Sequence, residues 1–461
     1  MNVELLSRIQ FAFTIAFHYI YPPLSIGLGV MLVLMEGMYL RTGNKIYEIM
    51  TRFWIKIFAL IFGIGVATGI IMEFEFGTNW AVYSRYVGDV FGSALASEGL
   101  FAFALESGFL GILIFGWNRV NSKVHFFSTI MVAFGAIFSA VWIVVANSWQ
   151  QTPAGFHIVG DGMHARAEIT DFWAMVFNPS SNTRLMHVLI GSFQAGAFLV
   201  LSVNAWYILK NKFSKIAKAG FKIALVFATV ASLLQLWSGD SSAKQVAVYQ
   251  PPKLAAFEGH YDSSSRADLY LIGITNPKKQ KSSGIKLPGG LSFLLYGNIN
   301  APVKGVNAFK KEDRPGNYET AFVFQTYHIM VLCGLFMIAL TLYACIQWWR
   351  QKLFNSKWLM IVFCFSVLIP QIANQVGWYS AEVGRQPWLV YGLLKTSEGL
   401  THSLKEGQVL FSLILFTLVY FMLFLLFIYM MSKNIIHGPA EDKYDKVPAG
   451  SKRNNPIFKK P

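Results

Sequence analysis

About nine stretches of this sequence are long and apolar enough to cross a bilayer core, which takes about 20 residues each. They cover residues 9–40, 53–72, 94–117, 126–146, 186–209, 221–237, 321–349, 359–378 and 409–431. With 54% of residues hydrophobic and only 14% charged, the expected fold is an all-α polytopic membrane protein, a bundle of about nine transmembrane helices. The first stretch exceeds one span, and Pro22 and Pro23 predict a kink or an interfacial first turn. The opening MNVELLSRIQFAF has no basic cluster and no small-residue cleavage site, which predicts a retained helix rather than a signal peptide.

The net charge of +15 points to cytoplasmic loops, not to nucleic acid. One set of short loops carries Arg41, Lys45, Arg52 and Lys56, then Arg119 and Lys123, then Lys210 to Lys222, then Arg350, Lys352 and Lys357. The tail adds Lys433, Lys443, Lys446, Lys452 and Arg453, while the opposite loops hold little beyond Arg85, Arg166, Arg184 and Arg385. The positive-inside rule therefore predicts a periplasmic N-terminus and a cytoplasmic C-terminus. The expected organisation is six helices over 1–237, an outer loop over 238–320, three helices over 321–431 and a cytoplasmic tail over 432–461. Cys333, Cys345 and Cys364 lie in apolar segments without CxxC spacing, which indicates neither disulfides nor iron–sulfur ligation. GIGVATG (Gly63, Gly65, Gly69) sits inside an apolar helix, where small residues predict close helix packing rather than a nucleotide loop. The last span, free of ionisable residues, is expected to face lipid or a partner subunit.

Ionisable groups within spans are functional candidates, because each costs roughly 2.5–3.5 kcal/mol at mid-bilayer unless paired. His18, Glu98, Glu106, His187, His328 and Glu382, with Met330, fall mostly in the outer half of the predicted topology. The run GWYSAEVGRQPW (377–388) sets Glu382 and Arg385 among aromatic residues and ends at Pro387. Such a pair serves either to anchor an interfacial loop or to hold a charged cofactor. Imidazole and thioether at one depth suit a low-spin haem, and without His–x–x–x–His or Cys pairs zinc fits poorly.

These residues carry a family resemblance. GRQPW (384–388), SEGLFAFALESGFLG around Glu98 and Glu106, RLMHVLIGSFQ around His187, and SGDSSAKQVAVYQPPKLAAFEG after the sixth span resemble subunit I of the cytochrome bd-type quinol oxidases, including their cyanide-insensitive branch, over nearly the whole chain. The resemblance implies haem iron ligated by His187 and Met330 (low-spin haem b), by His18 (the oxygen-binding haem, haem d or a second high-spin haem b) and by Glu382 (high-spin haem b). It places Glu98 beside the His18 group, and Arg385 and Trp378 in cofactor binding. It implies quinol binding by Lys253 and Glu258 and a proton path through Glu106, Ser107 and Ser139 from the cytoplasm. It further implies a second large subunit, often a small single-helix one, quinol and oxygen as substrates, and the bacterial inner membrane. Two features depart from the common pattern: His328 stands where many relatives have Arg, and the outer loop is of the short type.

Ser107 and Ser139 equally suit serines that bond the carbonyl one turn back, and His125, beside Lys123, suits a solvated interface residue as well as a proton entry. Glu106 could instead bridge helices, and His402 and His437 carry no signal. Two other classes remain compatible with the residues alone: a cytochrome b anchor exchanging electrons with quinone without oxygen chemistry, and a haem-free ion-coupled transporter.

Overall fold

The structure, a computed structural model, describes residues 2–440; the tail lysines 443, 446 and 452 and Arg453 lie outside the described residues. Among the described residues nine helical segments are long and apolar enough to span a membrane. The first is broken. α1 (Val3–His18) stops two residues before α2 (Tyr21–Thr42) begins, because Pro22 and Pro23 in the first turn of α2 offer no N–H to the preceding carbonyls. The break leaves His18 as the last residue of α1.

α3 (Lys45–Thr78) spans 34 residues, about 50 Å at 1.5 Å per residue, and so extends past a ~30 Å hydrocarbon core. A short α4 (Ala81–Tyr86) leads into the third span, which is composite: α5 (Gly88–Ser97), a π-helical turn (Glu98–Phe103) and α6 (Ala104–Phe115). α7 (Ser122–Gln151) is followed by the hairpin β1 (Phe156–Val159) and β2 (Arg166–Ile169) and by α8 (Phe172–Val176). α9 (Ser181–Leu209) is the most enclosed span and packs against α2, α7, α10 and α14. α10 (Ser214–Tyr249) continues twelve residues past the apolar stretch that predicted it, so SGDSSAKQVAVY is helix. Beyond it lie α11 (Pro251–Phe257), the hairpin β3 (Leu269–Asn276) and β4 (Lys281–Leu287), and α12 (Gly290–Tyr296). The remaining elements are α13 (Asn317–Trp349), α14 (Lys357–Phe365), α15 (Leu368–Val383), the small β5 (Trp388–Val390) and β6 (Leu394–Lys395) pair, and α16 (Glu406–His437). Only 11% of the apolar window of α16 is buried. One face packs on α1, where Tyr420 stacks on Phe17 at 4.4 Å, while Phe411, Leu418 and Met422 are exposed, as a lipid- or partner-facing helix requires.

α2 and α9 cross backbone to backbone. A Cβ on Gly27 would collide with the Ser192 carbonyl, and one on Gly196 with the backbone of Gly27, the close approach that small residues allow in lipid. The GIGVATG run does less of this than expected. A Cβ on Gly63 would meet nothing within 4 Å, one on Gly65 would lie 3.4 Å from Tyr21 Cβ and one on Gly69 would lie 3.2 Å from the His18 ring. Gly196→Leu should therefore abolish or strongly lower the yield of folded protein in detergent, while Gly63→Leu should change the thermal unfolding midpoint little. Equal effects of the two would contradict the crossing.

Candidate functional site

α7 is a polar spine. Along about 40 Å of helix, at 1.5 Å per residue, it presents His125, Thr129, Gly135, Ser139, Asn147, Gln150 and Gln151 to groups on other helices. At the end near the outer loop, Glu382 of α15 pairs with Arg385 at 2.6 Å and accepts from Asn147 Nδ2 (3.1 Å) and Gln151 Nε2 (3.2 Å). Arg385, 4% exposed, donates to Trp388 O (3.1 Å) and Gln150 Oε1 (3.3 Å), and Gln150 bonds the Tyr83 hydroxyl. Arg184, in the first turn of α9, bonds Asn147 Oδ1, while its Nε has no acceptor. Lys253 of α11, 2% exposed, donates to Gln151 Oε1 at 2.9 Å. Gly384 makes this possible, since a Cβ there would press on Lys253 Cγ at 3.0 Å and Phe257 at 3.2 Å. The Gln386–Pro387 bond is cis, and Thr396 Oγ1 donates to Gln386 Oε1 at 2.6 Å.

Arg385, Arg184 and Lys253 all act electrostatically on Glu382. The guanidiniums of Arg385 and Arg184 against the single Glu382 carboxylate already leave a surplus of one positive charge before Lys253 is counted. Burial drives the Lys253 ammonium well below its usual value, with Arg184 and Arg385 pushing the same way and Glu382 opposing. A buried charge without a partner costs several kcal/mol, so this cluster calls for an anion.

His18 is oriented by its neighbour. Thr68 Oγ1 donates to the Ile64 and Gly65 carbonyls (3.0 and 2.9 Å), so it accepts from His18 Nδ1 at 3.0 Å and leaves Nε2 with a free lone pair. His187 repeats the device. Ser238 Oγ donates to Gln235 O (3.1 Å) and stands 3.0 Å from His187 Nδ1. The Gln235 amide nitrogen also lies 3.2 Å from each ring nitrogen, so a ligand at Nε2 would displace it. Met330 on α13 presses its sulfur on α15, where a Cβ at Gly377 would lie 2.7 Å from Sδ. Trp378, next in sequence, tilts against Tyr379 at 5.3 Å. His328, 7% exposed, bridges Phe324 O (2.8 Å) and Tyr270 O (2.9 Å), tying the outer hairpin to α13.

Further along α7, Ser139 Oγ donates to Glu98 Oε1 at 2.5 Å, and a Cβ on Gly135 would meet Glu106 Cβ at 3.0 Å. The wider π turn between the two acids lets both face α7, at Ser139 and Gly135, positions one turn apart on that helix. Ser107 does not join them: it is exposed and its hydroxyl stands 3.5 Å from Ala104 O. At the far end, His125 is 2% exposed and bonds Glu36 Oε1 at 2.7 Å, with Thr129 donating to Glu36 Oε2 at 2.5 Å. His125 is thus not a solvated interface residue, because Glu36 of α2 supplies an internal partner ninety residues away that sequence spacing does not reveal.

In the outer segment Glu258 is 2% exposed and burial pushes its carboxyl up to about 8, with the neighbouring Tyr327 hydroxyl opposing. The sequence reading did not single out Arg184, Asn147, Gln150 or Gln151. The NSWQQ end of α7 was the visible signal, a polar run at the end of an apolar span.

Haem fits this donor set. His18 has one ring nitrogen held by a hydroxyl and the other free, His187 has one held by a hydroxyl and the other met by the Gln235 amide that a ligand would displace, and propionate groups would answer the cation surplus and the orphaned Arg184 Nε. Among the described residues no three His, Cys, Asp or Glu gather to hold a bare ion; the candidate ligands come singly, as an iron porphyrin needs.

Comparison with known proteins identifies the family. The family model for cytochrome bd terminal oxidase subunit I matches residues 6–439. The chain is 39% identical over 459 residues to the cytochrome bd ubiquinol oxidase subunit 1 of Bacillus subtilis, covering 98% of this chain and 97% of that protein. It is 36% identical to the cytochrome bd-II ubiquinol oxidase subunit 1 of Escherichia coli, covering 94% and 96%. The solved bd oxidase from Geobacillus thermodenitrificans superposes with a TM-score of 0.87 at 30% identity, covering 95% of this chain and 99% of that one. The chain, a multi-pass membrane protein, therefore belongs to the cytochrome bd terminal oxidase subunit I family.

Proposed function

We propose that this chain is the haem-bearing subunit of a quinol:oxygen oxidoreductase in a bacterial inner membrane, with its N-terminus periplasmic and its C-terminus cytoplasmic, paired with a second large subunit and, as is frequent in the family, a single-helix one. The observation that carries the reading is the buried cation surplus around Glu382 in a chain of this family. His187 and Met330 ligate a low-spin haem b, His18 the oxygen-binding haem (haem d, or a second high-spin haem b), and Glu382 a high-spin haem b, with Arg385, Arg184 and Trp378 around it. When bound, the haems supply one-electron chemistry that carries electrons from quinol to oxygen, which becomes water.

The protein's own part is positioning, charge and proton delivery. Thr68 and Ser238 fix the imidazole tautomers. Lys253, in the segment proposed to bind quinol with Glu258, also reaches the Glu382 cluster through Gln151, which couples the quinol end to the haem end over a few hydrogen bonds. Glu106 and Glu98, with Ser139, hold and pass protons along α7 from the cytoplasmic side. Electrons enter from outside and protons from inside, so charge separates across the membrane without a pumping cycle. A cytochrome b anchor explains the cations but not the paired acids at Glu98 and Glu106, and a haem-free transporter leaves the histidine pairings without purpose.

Met330→Leu should abolish or shift the low-spin haem signal in reduced-minus-oxidised spectra while the protein still folds; an unchanged spectrum removes that ligand. Glu106→Gln should slow oxygen consumption about tenfold or more, on the scale of a lost proton donor, with haem content retained; full turnover would take Glu106 off the path. Glu258 holds its proton until the pH passes about 8, so its carboxylate, the form able to accept from a quinol hydroxyl, grows in through that range. The KM for quinol should therefore change through a step near pH 8 that Glu258→Gln lacks. The sign for stability is opposite: unfolded Glu258 ionises near 4.5, so its contribution is present below that value and is lost as pH rises to about 8.

A further inference from the structure

Glu75, on α3, belongs to none of the clusters above. It is 0% exposed, and its carboxyl meets the Gln10 and Thr14 side chains of α1 only in contacts too loose to make full hydrogen bonds. Tyr420 of α16 stands next to it, its hydroxyl in the same loose contact with Thr14. An ionised carboxylate left this way would be costly. No charged side chain offsets it: Arg8 of α1 is turned to Glu4 at 3.9 Å, Glu73 lies on the exposed side of α3, and Tyr420 is the titratable group that faces it. Yet Glu75 is not cut off from water. Gln10 Oε1 accepts from Asn79 Nδ2 (3.1 Å) and Ser412 Oγ (3.0 Å). Asn79 and Ser412 in turn line a cleft of about 420 Å³ with Thr78, Thr401, Ser403 and Gln408. The cleft sits where α3 ends and α16 begins, on the same side as the Glu382 cluster. Toward the bundle centre, the same helix passes His18 at Gly69, where a Cβ would lie 3.2 Å from the ring, about 9 Å along α3 from Glu75.

We infer that Glu75 is a proton-binding site served from this cleft along the Asn79, Ser412 and Gln10 side chains, and that in the pH range where it is ionised it takes up a proton when the group at His18 gains an electron. The balance is simple: one electron, supplied by quinol, enters at the His18 iron; one proton from the outer medium forms the Glu75 O–H bond; oxidation reverses both. The low-dielectric interior then gains no net charge. This rests on His18 holding a redox group, so the test separates the two.

In the assembled oxidase, the equilibrium constant for reducing the His18-bound haem should fall by up to about tenfold per pH unit over the range where Glu75 titrates, and this dependence should weaken in Glu75→Gln. The redox-difference infrared spectrum should lose one carboxylic-acid band in the same variant. Ser412→Leu, which closes the cleft, should keep the band and slow its appearance after a pH jump. Unchanged pH dependence and an unchanged infrared spectrum in Glu75→Gln would overturn the inference. If Glu75→Gln fails to assemble, Glu75→Asp shifts the band in its place, and an unshifted band overturns the inference equally. A His18→Ala variant that keeps every haem signal would instead overturn the ligand assignment.

Discussion

Burying charge in a membrane bundle is permitted only where partners meet it, and the Glu382 end of this protein is arranged around that constraint. Glu382 lies 2.6 Å from Arg385 and takes two further hydrogen bonds from α7, but Arg184 and Lys253 join from α9 and α11, so the local charge does not cancel. A cluster that is over-supplied with cations is stable only with an anionic ligand, and the family to which the chain belongs carries haems, whose propionates have that charge. The structural reading and the family assignment thus meet at one electrostatic imbalance.

The same logic runs along α7. Four polar residues on this helix have an acid opposite them on another element: His125 meets Glu36, Ser139 meets Glu98, and Asn147 and Gln151 meet Glu382. None of these contacts is local in sequence. The helix works as a ruler that sets protonatable groups at intervals across the membrane, and the proposed proton traffic follows it.

Glycine serves the other half of the design. Gly27 and Gly196 let α2 and α9 touch, Gly377 admits the sulfur of Met330, Gly69 admits the ring of His18, and Gly384 admits Lys253. In lipid, where association gains little from hydrophobic burial, such approaches supply both the packing and the room for ligands. Gly63, in the run that looked most suited to packing, faces open space where a Cβ would stand, because a glycine pattern does not say which face of a helix its partner will take.

Much was legible in the sequence because hydropathy and motif are local. Nine apolar runs and the isolated His, Met and Glu residues within them follow from composition along the chain, since lipid imposes the same rule on every span. The GRQPW motif and its companions fixed the family. What the sequence could not carry was pairing between distant segments. The break after His18 was foreshadowed by Pro22 and Pro23, but the extension of α10 to Tyr249, the burial of His125 against Glu36 and the convergence of Arg184 and Lys253 on Glu382 are decided by how helices pack. Glu75, an acid like any other in the string of letters, becomes distinctive only when α1 and α16 close over it. Local chemistry determined which residues could act; the tertiary fold decided which of them are buried, paired or left without a partner, because burial and pairing are properties of the space between helices.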